Sequence, residues 1–187
     1  MKYIALLLSL FLLSSVAAAV EIAGVGLPEE VTITGDNRVL YLNGAGIREK
    51  FFFDIYLASL YVSAKSDNPQ AVIGPDLPKR MQMDLLYKEV ERQKFIDGWN
   101  EGFAANNAPV VMQTLRERLD SFNALFETLV AGDRVVLDYL PGSGTHVIIK
   151  GQERGVIEGL DFNQALLKVW LGDEPVTGSL KKALLGR

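Results

Sequence analysis

The sequence predicts an α+β fold: an antiparallel β-sheet with helices packed on one face, an open-faced sandwich. Three observations predict it. Strands and helices are segregated along the chain, running strands, two helices, strands, two helices. Short turns rich in glycine, proline and asparagine join the strands, as in hairpins. The helical stretches carry apolar residues at three- and four-residue spacing, which leaves one face for the sheet. A doubly wound parallel sheet would alternate strand and helix, and this chain does not.

The elements follow in order. VTITGDNRVLYLNG reads as two short strands around a Gly-Asp-Asn turn. KFFFDIYLASLYVSA reads as one long strand with apolar residues on both faces, hence covered on both. By simple alternation Phe51, Phe53, Ile55 and Leu57 share one face, and Phe52, Asp54, Tyr56, Ala58, Leu60 and Val62 the other. SDNPQAVIGPDLPKR is a loop region with room for a helical turn, and MQMDLLY is another strand.

Phe95, Trp99 and Phe103 make a helical stripe that NNAP ends. A second stripe runs through Val111, Leu115, Leu119, Phe122, Phe126 and Leu129. GDRVVLDYLPGSGTHVIIKGQERGVIEG gives three strands joined by the turns PGSG and GQERG. DFNQALLKVWLG is a helix, capped by Asp161 and stopped by Gly172. TGSLKKALLG is a last short helix.

The N-terminus carries an address. Lys2 precedes an unbroken apolar run from Tyr3 to Leu13, and small residues follow to Ala17-Ala18-Ala19. That is the pattern of a secretory signal peptide, and the run is too short for a membrane anchor of about 20 apolar residues. Residues 1–19 are thus expected to be removed. Residues 20–187 would form one domain, periplasmic or secreted, with no integral membrane span.

Composition excludes several functions. The formal charge is −4, and the leader holds only Lys2, so the remaining domain is still more acidic. No basic cluster stands out, which argues against nucleic acid or an anionic membrane as partner. There is no cysteine and a single histidine, His146. Cysteine nucleophiles, thiolate metal sites and disulfides are ruled out, and no cofactor or metal site is expected. His146 follows PGSGT and begins HVIIK, so it reads as a partly exposed residue at a strand end. NGAGIRE has Gly44 and Gly46 in the spacing of a dinucleotide loop, but Glu49 takes the third glycine's place and a strand follows, not a helix.

LNGAGIREKFFFDIYLASLYV resembles the N-terminal signature of the chalcone isomerase superfamily. There, a strand ending in Gly-x-Gly-x-Arg is followed by a strand ending in a tyrosine–aliphatic pair, here Tyr61-Val62. LPGSGTHVIIKG and ALLKVWLGDEPVTGSLKKALLG match the family's later hairpin and closing helices in order and spacing. The resemblance implies the fold already read and a choice of functions. Its isomerases use the motif arginine, here Arg48, and a threonine on the next strand, at whose position Tyr56 stands. They also use a tyrosine, a lysine and an asparagine on one helix. Those positions align with Glu91, Lys94 and Gly98, so only Lys94 survives. Val169 replaces their hydroxyl residue on the penultimate helix. These departures predict no chalcone cyclisation above the spontaneous rate.

The fatty-acid-binding relatives keep the arginine and carry a tyrosine, which Arg48 and Tyr56 match. A guanidinium fork can hold a carboxylate and a phenol can add one bond. An apolar pocket between sheet and helices would take the chain of the ligand, with Phe52, Leu60, Phe95, Trp99 and Phe103 as wall residues. A structural alternative stands beside this one: Arg48 pairs with Asp54 or Glu49, because a buried arginine needs a partner. Three functions stay open: a binding protein for a small amphipathic carboxylate such as a fatty acid, an isomerase or intramolecular lyase using Arg48 and Lys94, and a protein-interaction module with a vestigial pocket.

Overall fold

Each strand of the main sheet lies beside the strand that a short turn or one helical excursion delivers to it. The computed structural model describes residues 19–33 and 37–187. The predicted signal peptide therefore lies outside the described residues, save for Ala19, and so does most of the predicted Gly-Asp-Asn turn. The strands are β1 (Ala19–Ile22), β2 (Val25–Pro28), β3 (Glu30–Thr32), β4 (Val39–Lys50), β5 (Phe53–Val62), β6 (Lys79–Leu85), β7 (Glu89–Val90), β8 (Leu129–Val130), β9 (Arg134–Leu140), β10 (Gly144–Ile149) and β11 (Gln152–Ile157). The helices are α1 (Pro69–Ile73), α2 (Arg92–Asn106), α3 (Pro109–Ala124), α4 (Leu160–Leu171) and α5 (Gly178–Leu184). Seven strands form one antiparallel sheet in the order β11-β10-β9-β6-β5-β4-β3. The pairs β1–β2 and β7–β8 form two small sheets that the sequence did not announce.

Register decides which side chains meet the helices. Ala58, Leu60 and Tyr56 of β5 pair with Met83, Met81 and Leu85 of β6, and Met81 and Met83 pair in turn with Leu137 and Val135 of β9. All of these are buried in one core with Phe95, Trp99, Phe103, Leu115, Phe122, Phe162 and Trp170 from the helices. The helices thus cover one face, as predicted. The opposite face is polar: Arg80 forks onto Asp138 at 2.6 and 2.7 Å, and Arg134 pairs with Asp84. A small apolar cluster of Ile33, Leu40 and Tyr61 covers that face at the β3–β4 end.

The glycines of NGAG are a bed for α5. A Cβ on Gly44 would overlap the carbonyl oxygen of Ala183, and one on Gly46 would stand 2.6 Å from the Ala183 Cβ. Asn43 fixes the contact by donating to the Leu184 carbonyl at 2.7 Å while accepting from the Ser66 amide at 2.7 Å. This is a close approach of helix to strand and not a phosphate cradle.

Three local expectations are corrected. The long strand predicted from Lys50 onward is broken at Phe51 and Phe52, which form a two-residue hairpin turn with φ of 50° and 69°. Positive φ at both positions is the type I′ pattern that ordinarily selects Asn-Gly. Two phenylalanines held there cost on the order of 1–3 kcal/mol each. Asp161 does not cap α4, because Gly159 holds the N-cap position at φ 99° and the Asp161 carboxylate accepts two bonds from Arg118 at 2.8 and 2.6 Å. Those bonds hold its carboxyl below the usual carboxylate range. The second predicted helical stripe stops at Ala124, and Leu129 instead begins β8.

Lys79 is the fold's titratable latch. It is 3 % exposed, and its ammonium donates to the carbonyls of Val72 and Pro75 at 3.0 and 2.8 Å, closing α1 onto the sheet. Burial lowers its pKa to about 8, with Asp76 acting the other way. The folded side chain releases its proton near pH 8 and the unfolded one near 10.5. Between those values the unfolded chain binds more protons, so stability rises with pH and falls as pH drops back through about 8. Urea unfolding should show a gain on the order of 1–2 kcal/mol across that window, discounted for residual solvent contact. The gain should vanish in Lys79→Met. A flat wild-type profile would contradict the latch.

Candidate functional site

Arg48 and Tyr56 are brought together by the β4–β5 register, in which they are direct partners. The register shifts between Arg48 and Glu49, leaving Ile55 as an extra residue on β5. A bulge of this kind re-aims the side chains that flank it. It keeps Tyr56 in the core at 6 % exposure and turns Asp54 out to solvent opposite Glu49.

The chemistry at this end of the sheet is one-sided. The Arg48 guanidinium carbon lies 5.7 Å from the centre of the Tyr56 ring. Arg48 Nε is buried without a hydrogen-bond partner, and among the described residues this side chain forms no ion pair or hydrogen bond. The Tyr56 hydroxyl accepts from Trp170 Nε1 at 2.9 Å, which leaves its own proton free to donate. Burial raises the Tyr56 pKa, against the opposing influence of Arg48 and of the Trp170 hydrogen bond, so the phenol remains a donor at neutral pH. The Trp99 ring stands 5.5 Å from that of Trp170, and Trp99 Nε1 is also buried without a partner. Guanidinium and phenol supply donors here, and among the described residues no carboxylate is hydrogen-bonded or ion-paired to either side chain. A buried donor left unpaired costs about 1–3 kcal/mol. An acceptor, and an anionic one best, would relieve the imbalance.

The other predicted site residues divide. Leu60, Phe95, Trp99 and Phe103 lie in the core between sheet and helices, as their face and periodicity required. Three do not gather there. Phe52 is 104 % exposed at the hairpin tip, because the turn takes it out of the strand, so it cannot be a pocket wall. Asp54 is exposed and makes no pair with Arg48, because the bulge reverses the alternation. Lys94 is exposed on the side of α2 away from the buried Phe95, Trp99 and Phe103. Val169 packs against the bare face of Gly102, where a Cβ would come within 2.9 Å of it, and not on Arg48. His146 is a half-buried strand residue between Ser143 at 2.8 Å and Glu153 at 3.0 Å. Among the described residues no three histidine, aspartate or glutamate side chains gather as for a metal.

The predicted apolar pocket corresponds to a filled space. Trp99 touches Phe122, Phe126 and Trp170 with ring centres 5.3–5.5 Å apart, and Phe95 stacks on Phe126. Two surface hollows lie elsewhere, one beside α1 and α4 and one on the polar face of the sheet around Arg80 and His146. Sequence reading missed Trp170, which is fully buried and holds the Tyr56 hydroxyl across 114 positions. Its apolar stripe on α4 announced burial but no partner.

The Tyr56–Trp170 bond makes its own prediction. Tyr56→Phe should cost about 1–3 kcal/mol of stability, because it leaves a buried indole N–H without an acceptor. Trp170→Phe should also destabilise, and the double variant should cost less than the two together. Urea denaturation of the three variants measures this. Strict additivity would show that the two groups do not act through one another.

With this geometry in view, the comparisons with known proteins are informative. A family model described as chalcone isomerase-like matches residues 19–186. A crystal structure of the fatty-acid binding protein AtFAP1 from Arabidopsis thaliana has the same fold at a TM-score of 0.68. The match is 16 % identical in sequence and covers 90 % of this chain and 96 % of that one. No curated protein sequence matches. A hairpin carrying Gly-x-Gly-x-Arg under its last helix, and a family match over nearly all the described residues, lead to one conclusion: the chain belongs to the chalcone isomerase-like family.

Proposed function

We propose that this is an exported protein that binds a small amphipathic carboxylate, with a fatty acid as the model ligand. Arg48 and Tyr56 hold the carboxylate, and the hydrocarbon chain enters the aromatic cluster of Phe95, Trp99, Phe122 and Phe126 by parting its ring contacts. One observation carries this reading. Arg48 has a buried Nε with no hydrogen-bond partner, beside a phenol whose own proton is free to donate. The likeness of fold to a protein named as fatty-acid binding supports it.

The test is to purify the protein from its own host and identify what it carries by mass spectrometry. A fatty acid or similar carboxylate should come away with the wild-type protein and be missing from Arg48→Ala. Wild-type protein that is empty and takes up no fluorescent fatty acid would end the reading. Export has a separate test. N-terminal sequencing of the protein from its host should begin close to Val20, and a retained Met1 would contradict it.

A further inference from the structure

The tip of the β4–β5 hairpin has no function in the fold. Phe51 is 79 %, Phe52 104 % and Phe53 55 % exposed. Phe51 and Phe52 also occupy the two positive-φ positions of the turn, where a bulky residue is least at ease. Among the described residues Phe51 and Phe52 are left largely uncovered, and the Lys50 ammonium stands 5.8 Å from the Phe51 ring. Phe53 is flanked by Tyr87 at 5.4 Å, from the loop after β6. A chain under selection for stability alone would place polar or glycine residues here, so the exposed aromatics answer to something outside the chain.

We propose that this tip is a membrane-docking element whose Phe51 and Phe52 side chains enter the interfacial layer of a lipid bilayer. The size of the patch selects the occupant. Two phenyl rings offer about 300–500 Å², short of the roughly 800 Å² per partner of a stable protein interface. A second copy of this chain meeting it tip to tip would bury too little. A bilayer asks for no complementary surface, and a convex aromatic tip can enter it from above. The rim sets the lipid. Lys50 is offset by Glu49 and Asp54, which flank the turn with it, so the tip carries no net attraction for anionic lipid. A zwitterionic bilayer serves, and docking should survive high salt. No helix among the described residues is long and apolar enough to cross a membrane, so the contact is superficial. Arg48 stands three residues before Phe51, roughly 10 Å along the strand, so docking brings it toward the surface at which lipid head groups lie. The docking itself does not depend on the role given to Arg48.

The experiment uses phosphatidylcholine vesicles and the whole chain with one N-terminus throughout. Subtracting the wild-type emission, which comes from the buried Trp99 and Trp170, isolates the indole of a Phe52→Trp variant at the tip. Its emission should shift to the blue on vesicles and be quenched by brominated phosphatidylcholine, at low and high salt alike. The double variant Phe51→Asn, Phe52→Gly installs the residues this turn prefers. It should resist urea at least as well as wild type, yet lose the blue shift's counterpart, vesicle partitioning, by about tenfold or more per phenylalanine. Unquenched emission from Phe52→Trp would overturn the proposal. So would a double variant that unfolds, which would show that the rings serve the fold, or a wild type that dimerises in sedimentation where the double variant does not.

Discussion

Arg48→Ala should weaken fatty-acid binding by 30-fold to several thousand-fold while leaving the protein folded. The estimate follows from removing the charged partner of a buried carboxylate, about 2–5 kcal/mol. The second half of the result is the more discriminating. Among the described residues the Arg48 side chain has no hydrogen-bond or ion-pair partner, so its removal strands no buried acceptor, and urea stability should stay level or rise. Asp54→Asn should leave both binding and stability within about 0.5 kcal/mol, as for an ordinary surface position. Had Arg48 served Asp54, as the sequence also allowed, Arg48→Ala would unfold the protein by about 3–5 kcal/mol. Fatty-acid titration and urea denaturation of the two variants separate the cases.

Gly44→Ala should destabilise by about 3 kcal/mol, the upper range for overpacking. The added methyl meets backbone and not a flexible side chain: the Ala183 carbonyl oxygen first, then the Leu184 carbonyl oxygen at 2.8 Å. To make room, α5 must lift from β4 and break the Asn43 bond to Leu184. Gly98→Ala is the matched control. A Cβ there meets nothing within 4 Å, and the site lies inside α2. Alanine should stabilise it by about 0.5–1 kcal/mol. Thermal or urea unfolding of the pair measures both signs. A tolerated Gly44→Ala would show that NGAG is not a helix bed.

The fold was legible where local signals agreed. PGSG turns the chain between β9 and β10, and the Phe95, Trp99 and Phe103 stripe faces the sheet as its spacing requires. Reading failed where one residue altered the count. Alternation from Tyr56 put Asp54 on the core face, but the extra residue Ile55 reversed it. No residue type in FFFDIY marks such a bulge. The Phe51-Phe52 turn was hidden because turn chemistry calls for Asn-Gly, and two phenylalanines read as strand. At α4, Asp161 looked like a cap because nothing local shows that Arg118, on another helix, claims its carboxylate. Arg48 and Tyr56 were legible as a pair through the motif. Trp170 was not, since a hydrogen bond between distant elements leaves no mark in either segment.

Arg48 Nε, buried without a hydrogen-bond partner among the described residues, is where the proposed carboxylate binds. Calorimetric titration of the wild-type protein with a long-chain fatty acid, and with the alcohol of the same chain, tests it most directly. The two ligands share the hydrocarbon and differ in the head that Arg48 would meet. The account predicts that the acid binds at least tenfold more tightly, and that the advantage disappears in Arg48→Ala. Equal affinity for acid and alcohol in the wild type would contradict it.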